Sequence, residues 1–177
     1  MPTLTTDEVA THVGRIAEQG FSVIEDAVAP DLVDELLETA IDQAVLGRDH
    51  GGVPIGAALF GADGTLLGVG HNRRVQDDDP SMHAETAAFR AAGRQRSYRG
   101  TTMVTTLSPC WYCSGLVRQF GIGRVVIGES RTFTGGHDWL AEHGVEIVLL
   151  DDQRCVDLMA EFIARRPDVW NEDIGQG

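Results

Sequence analysis

Apolar residues recur three and four positions apart through "APDLVDELLETAIDQAVLG", placing Leu32, Val33, Leu36, Leu37, Ala40, Ile41 and Ala44 on one stripe. That period predicts an amphipathic helix closing near Gly47. Upstream, "TTDEVATHVGRIAEQG" sets Val9, Val13 and Ile16 at the same spacing, with acids in the first turn and Gly20 as a stop, and "FSVIED" follows. A short helix and a short strand are expected there, forming an N-terminal extension over residues 1–30 ahead of a main domain over 31–177.

Past Gly47 the pattern changes. "VPIGAALF" and "LLGVGHNR" are apolar runs joined through Ala62, Asp63 and Gly64, where Asp-Gly supplies the positive φ of a tight hairpin turn. "HAETAAFRAAGRQ" reads as a helix by its alanines, "TTMVTTL" as a β-branched strand, and the segment after Cys110 as a helix through Leu116, Val117 and Phe120. "RVVIG" and "VEIVLL" are strands, and "QRCVDLMAEFIARR" closes the series as a helix. Such alternation predicts a three-layer α/β/α sandwich around a mixed, mostly parallel five-stranded sheet.

With 177 residues, 42% of them hydrophobic, the chain can fill one core. Its formal charge of -13 repels phosphate backbones and anionic membranes, so a small neutral substrate is expected and nucleic acid or membrane partners are not. All 14 basic residues are arginine, from which no function is read. Neither an 18-residue apolar run nor a signal-peptide pattern occurs, so a cytoplasmic location is expected. Three cysteines, two of them close together, suggest a metal or redox pair rather than a disulfide framework.

Cys110 and Cys113 stand three apart at the start of a predicted helix, where side chains of that spacing point the same way and the helix dipole favours thiolates. His83, opening the alanine-rich helix, supplies an imidazole, and two sulfurs with one nitrogen suit zinc. Cys155 lies inside the last helix, where a small buried residue is its expected role, so no fourth protein ligand is evident. Three ligands with an open position define a catalytic zinc, one ion per chain, that acidifies a water. Glu85, two residues after His83, is placed to move that water's proton. His83-Ala84-Glu85 followed by Pro109-Cys110-Trp111-Tyr112-Cys113 reproduces the H-x-E and P-C-x-x-C signature of zinc deaminases.

The chain resembles the cytidine deaminase superfamily, and within it the fungal-type cytosine deaminases that act on the free base. "GVPIGAAL", "GHNRR", "HAE", "TTLSPCWYC", "GIGRVVIGES", "VLLDDQRC", "EFIARRPDVW" and "EDIG" are similar to stretches of that family in the same order, from about Gly52 to Gly175. The resemblance implies conversion of cytosine to uracil and ammonia in pyrimidine salvage by a homodimer. It also implies roles for particular residues: Asn72 and the backbone of Ala84 and Ser108 read the base, Phe133 stacks on it, Trp170 and Ile174 cover it, and Asp173 accepts from its amino group. In "DVWNEDIG", Trp170, Asp173 and Ile174 share one face of a terminal turn, so residues 167–177 are expected to form a lid; the same face would equally dock a tail on the core.

Two features depart from the family. Trp111 and Tyr112 replace smaller residues between the cysteines, which leaves isocytosine, a substituted cytosine, guanine or another amino-heterocycle as alternative substrates. A tRNA adenosine deaminase would share the zinc site but lacks support from the acidic composition. Residues 1–30 have no counterpart in the compact fungal enzymes; "EQGFSVIEDAVAPDLVDELL" is similar to the opening of phytanoyl-CoA-type dioxygenases, without their downstream His-x-Asp iron pattern. His71, His137 and His143 are expected as surface or turn residues, and Asp77, Asp78 and Asp79 as a solvated loop.

Overall fold

The computed structural model describes residues 30–176, with side chains from Val33 onward. The helix and strand expected over residues 1–30 lie outside the described residues. The amphipathic stripe forms α1 (Pro30–Asp49), two residues longer than its expected stop at Gly47. The hairpin follows as β1 (Gly56–Phe60) and β2 (Leu66–His71), and Gly64 adopts the expected left-handed conformation in its turn, at φ 81°. A short α2 (Arg74–Asp77) leads to the alanine-rich α3 (Ala84–Ala92). Then come β3 (Thr102–Leu107), α4 (Trp111–Phe120), β4 (Arg124–Glu129), α5 (His137–Glu142) and β5 (Glu146–Leu149). The chain closes with α6 (Gln153–Arg165) and a separate short α7 (Pro167–Asp173), with Pro167 in its first turn because a proline ring is tolerated only there in a helix.

The strands make one sheet in the order β2-β1-β3-β4-β5. β1 is antiparallel to both β2 and β3, whereas β3, β4 and β5 pair in parallel. Four of the five strands therefore run one way, with β1 alone opposed. Alternation in the strands separates two layers of core. Ala57, Leu59, Met103, Leu107, Val125 and Ile127 face one side with residues of α3, α4 and α5, while Ala58, Phe60, Val104 and Val126 face α1 and the buried Cys155 of α6.

The sheet sets α3 in place through absent side chains. A Cβ at Gly68 or Gly70 of β2 would collide with the α3 backbone at Ala88, so glycine lets this helix lie directly on the strand. With small alanines on the contact face, α3 is held close enough for its N-terminal end to reach the end of β3, where α4 also begins.

Candidate active site

Two helix starts converge at the carboxyl ends of the parallel strands, the position at which open α/β sheets leave a crevice. His83 is the N-cap residue of α3 and Cys110 that of α4, both with extended backbone, and Cys113 sits one turn inside α4 and is buried. Their ligand atoms all lie within 4.8 Å of one another. Nδ1 of His83 faces Cys110 Sγ at 3.5 Å, and its Nε2 lies 3.5 Å from Asp173 Oδ1. Bonds of about 2.0 Å to nitrogen and 2.3 Å to sulfur would close such a triangle on a single ion, and an N,S,S donor set with a carboxylate behind the imidazole matches zinc. The residues present fit that metal.

Glu85, in the first turn of α3, is 4% exposed and accepts a hydrogen bond from the Cys113 thiol at 3.3 Å. Burial, reinforced by the nearby Cys110 sulfur, pushes its carboxyl up to about 7 despite the opposing pull of His83. A hydrogen bond from Cys113 and the neighbouring imidazole carry Cys110 down to about 4 against its burial, while Cys113 is raised well above an ordinary thiol by its Cys110 partner and by burial. Burial alone would lower His83; Cys110, Glu85 and Asp173 together carry it up to about 9. The lowered Cys110 favours the thiolate form that a metal requires, and the raised Glu85 carboxyl lies beside it.

These groups open into a cavity of about 600 Å³, lined also by Asn72, Ala84, Ser108, Phe133, Trp170, Asp173 and Ile174. All seven residues singled out in the sequence for base contact therefore border one space with His83, Cys110 and Glu85, while Cys113 lies buried behind it. Ile55 and Leu107 add apolar lining that the sequence reading did not single out. The rings of Phe133 and Trp170 meet edge to face at 5.7 Å and form an apolar corner of the cavity. Trp111 and Tyr112 line the same cavity yet remain 66% and 51% exposed, and the Tyr112 ring sits edge-on to His83 at 5.7 Å.

The polar end of the cavity is more internally bonded than the sequence suggested. Asn72 donates from Nδ2 to Asp173 Oδ2 at 3.2 Å and accepts at Oδ1 from the Arg74 backbone N–H at 3.1 Å, which leaves one donor and one lone pair for a ligand. Arg74, not singled out in the sequence, donates from Nη1 to Asp173 Oδ1 at 2.8 Å. Burial raises the Asp173 carboxyl, opposed by His83 and Arg74.

Ser108 gives its N–H to the Glu129 carbonyl at 2.9 Å, so its own carbonyl is the backbone group left for a ligand. Its side chain accepts from the Gly135 N–H at 2.9 Å and bonds His137 Nδ1 at 2.7 Å. His137 is consequently buried rather than a surface residue, and His71 is partly buried beside Gln43; His143 is exposed, as expected. At the other end of this loop the fully buried Glu129 accepts from the N–H groups of Arg131 and Thr132, at 2.6 and 3.0 Å, and from the Thr132 hydroxyl. Phe133 is carried on a loop pinned on both sides.

The cytidine and deoxycytidylate deaminase zinc-binding region matches residues 31–129, and the chain belongs to this family. Cytosine deaminase of Candida albicans is 46% identical to it over 142 residues, covering 79% of this chain and 95% of that protein. Two solved structures share the fold: one from work on A-to-I editing by tRNA:A34 deaminases, with TM-score 0.64 and 23% identity over 71% of this chain and 99% of its own, and a guanine deaminase from Nitrosomonas europaea, with TM-score 0.60 and 24% identity over 78% and 86%.

Proposed function

We propose that this protein deaminates a free nucleobase hydrolytically, cytosine first, giving uracil and ammonia with one zinc ion per chain. The observation that carries the reading is the buried Glu85 carboxyl against Cys113, bordering a cavity whose apolar lining includes Phe133 and Trp170. The Candida relative's name supports cytosine as the base.

Zinc held by His83, Cys110 and Cys113 would supply Lewis acidity that makes water nucleophilic near neutral pH. The chain's own residues do the rest. Phe133, Trp170 and Ile174 hold the ring flat and exclude solvent. Asp173 accepts from the exocyclic amine, and the remaining donor and acceptor of Asn72, with the Ser108 carbonyl and the Ala84 backbone, read the ring's other edge. Glu85, with a carboxyl near 7, takes a proton from water and delivers it to ring N3; it then takes the proton of the hydroxyl added at C4 and gives it to the amine, which leaves as ammonia while C4 becomes a carbonyl.

The exposed Trp111 and Tyr112 support a homodimer built on the start of α4. The need for reduced thiols supports a cytoplasmic enzyme, and the similarity to a cytosine deaminase supports a place in pyrimidine salvage. A cavity of about 600 Å³ also admits a larger amino-heterocycle, which keeps a substituted cytosine or a purine as a second reading. Ammonia release measured across free bases and nucleosides tests both. Cytosine as the best substrate, with Glu85→Gln keeping zinc while losing about 10²–10⁴-fold in turnover, supports the proposal; activity only on nucleosides or on tRNA rejects it.

A further inference from the structure

Residues 86–128 contain six arginines and no aspartate or glutamate, within a chain whose formal charge is -13. Each described arginine outside this segment has a carboxylate within 4.0 Å. Inside it, Arg124 pairs with Glu146, but among the described residues Arg90, Arg94, Arg96, Arg99 and Arg118 have no such partner, and all five are exposed. In so acidic a molecule, cations that have no carboxylate partner among the described residues raise the local positive potential.

Four of them, Arg90, Arg94, Arg96 and Arg99, line a second cavity of about 600 Å³. Its apolar wall is an aromatic trio in which Phe120 lies 4.5 Å from Phe89 and 5.8 Å from Tyr98, ring centre to centre, and Phe120 remains 45% exposed. Tyr98 is buried; its hydroxyl donates to the Gly93 carbonyl at 2.6 Å and accepts from the Gln95 N–H at 3.3 Å. The turn carrying Arg94 and Arg96 is thereby tied to the aromatic wall. Guanidinium forks match phosphate oxygens in pairs, and an exposed ring offers a face on which a base can stack.

The geometry points to a binding site for a nucleotide bearing several phosphates, its phosphates among Arg90, Arg94, Arg96 and Arg99 and its base against Phe120. A polynucleotide is disfavoured because the acidic remainder of the surface would repel strands extending past the cavity. The site is separate from the first cavity. α3 and α4 start at the metal donors and end at this cavity, about 13–15 Å of helix away.

Calorimetric titration of the zinc-loaded full chain, with magnesium equimolar to each probe, tests this with ATP, GTP, CTP, UTP, inorganic triphosphate and a mixed-sequence single-stranded RNA 20-mer. The expected result is 1:1 binding of at least one nucleoside triphosphate, tenfold or more tighter than inorganic triphosphate. Arg94→Glu with Arg96→Glu should weaken it at least tenfold with zinc content and deamination unchanged, and Phe120→Ser should bring nucleotide and triphosphate to equal affinity. Absence of binding, equal binding of inorganic triphosphate, tighter binding of the RNA, full affinity in the arginine variant, or displacement of the nucleotide by saturating cytosine would each overturn the inference.

Discussion

Nε2 of His83 lies 3.5 Å from Oδ1 of Asp173, so the imidazole that turns Nδ1 toward Cys110 rests its far side on a carboxylate from the chain's last helix. Ninety residues apart in sequence, a metal donor and a residue covering the cavity hold each other's orientation. Asp173→Ala should weaken zinc binding by about 10–100-fold, because a carboxylate behind a ligating imidazole fixes its tautomer and raises its basicity. Competition with a chromogenic chelator reads the loss; wild-type zinc affinity in the variant would show that the contact carries no such role.

Arg74 bonds the same carboxylate, with side-chain exposures of only 11% and 4% for the pair. Arg74→Met should leave Asp173 without its cation and lower unfolding stability by about 3 kcal/mol, as when one partner of a buried pair is removed. KM for the base should rise more than kcat falls, since α7 loses its anchor while Glu85 is untouched. Urea denaturation and steady-state kinetics measure the two effects separately.

Among the protein groups, Cys110 is held down to about 4, whereas burial carries Cys155 up to about 12 and Cys113 lies well above an ordinary thiol. After a chelator removes zinc at pH 7, iodoacetamide should therefore label Cys110 first, with Cys155 unmodified until the chain unfolds. Peptide mapping by mass spectrometry gives the order, and zinc-loaded protein should resist labelling at all three.

Asp152 caps α6 by accepting from the Arg154 N–H at 2.8 Å, and its carboxyl is held below the ordinary value chiefly by hydrogen bonding from the Arg154 side chain, against some burial. Because the folded state binds this proton more weakly, the stabilisation is present at and above neutral pH. It fades as pH falls from about 4 through the lowered folded value. Asp152→Ala should cost about 1 kcal/mol at pH 7 and progressively less under acid. Urea melts of both proteins across pH 3–7 check the convergence; a constant gap would deny the carboxylate its part.

Gly70→Ala should cost about 1–3 kcal/mol, since the added methyl meets α3 at Ala87 and Ala88. Thermal melts measure the loss, and a fall in zinc affinity should accompany it as α3 is pushed away from α4.

The site's metal-binding half was legible because its signals are local. H-x-E and C-x-x-C are read within a helix turn, and the α1 stripe, the Asp-Gly turn and the β-branched strands follow from short-range rules in the same way. What the sequence hid depends on the path of the chain. Arg74 looks like any arginine in a loop until a helix 99 residues later brings Asp173 to it. Glu129 ends an apolar strand as if to reach solvent, and only the fold shows its carboxylate turned back under the loop that bears Phe133. His137 carried no pattern at all, because its partner Ser108 lies 29 residues away. Net charge is silent for a related reason: a sum over the chain cannot show that, among the described residues, five arginines have no carboxylate within 4.0 Å.

Among the described residues, the arginines without a carboxylate partner lie at or just past the C-terminal ends of α3 and α4, the ends away from the metal donors. Despite a pI near 4.7, the molecule should be retained by sulfonate and heparin resins at low salt as well as by quaternary amines. Adsorbed to an anionic bead, the protein would settle arginine side down and turn the mouth of its zinc pocket to the liquid, an orientation that chemical coupling through lysine could not impose on a chain that has none.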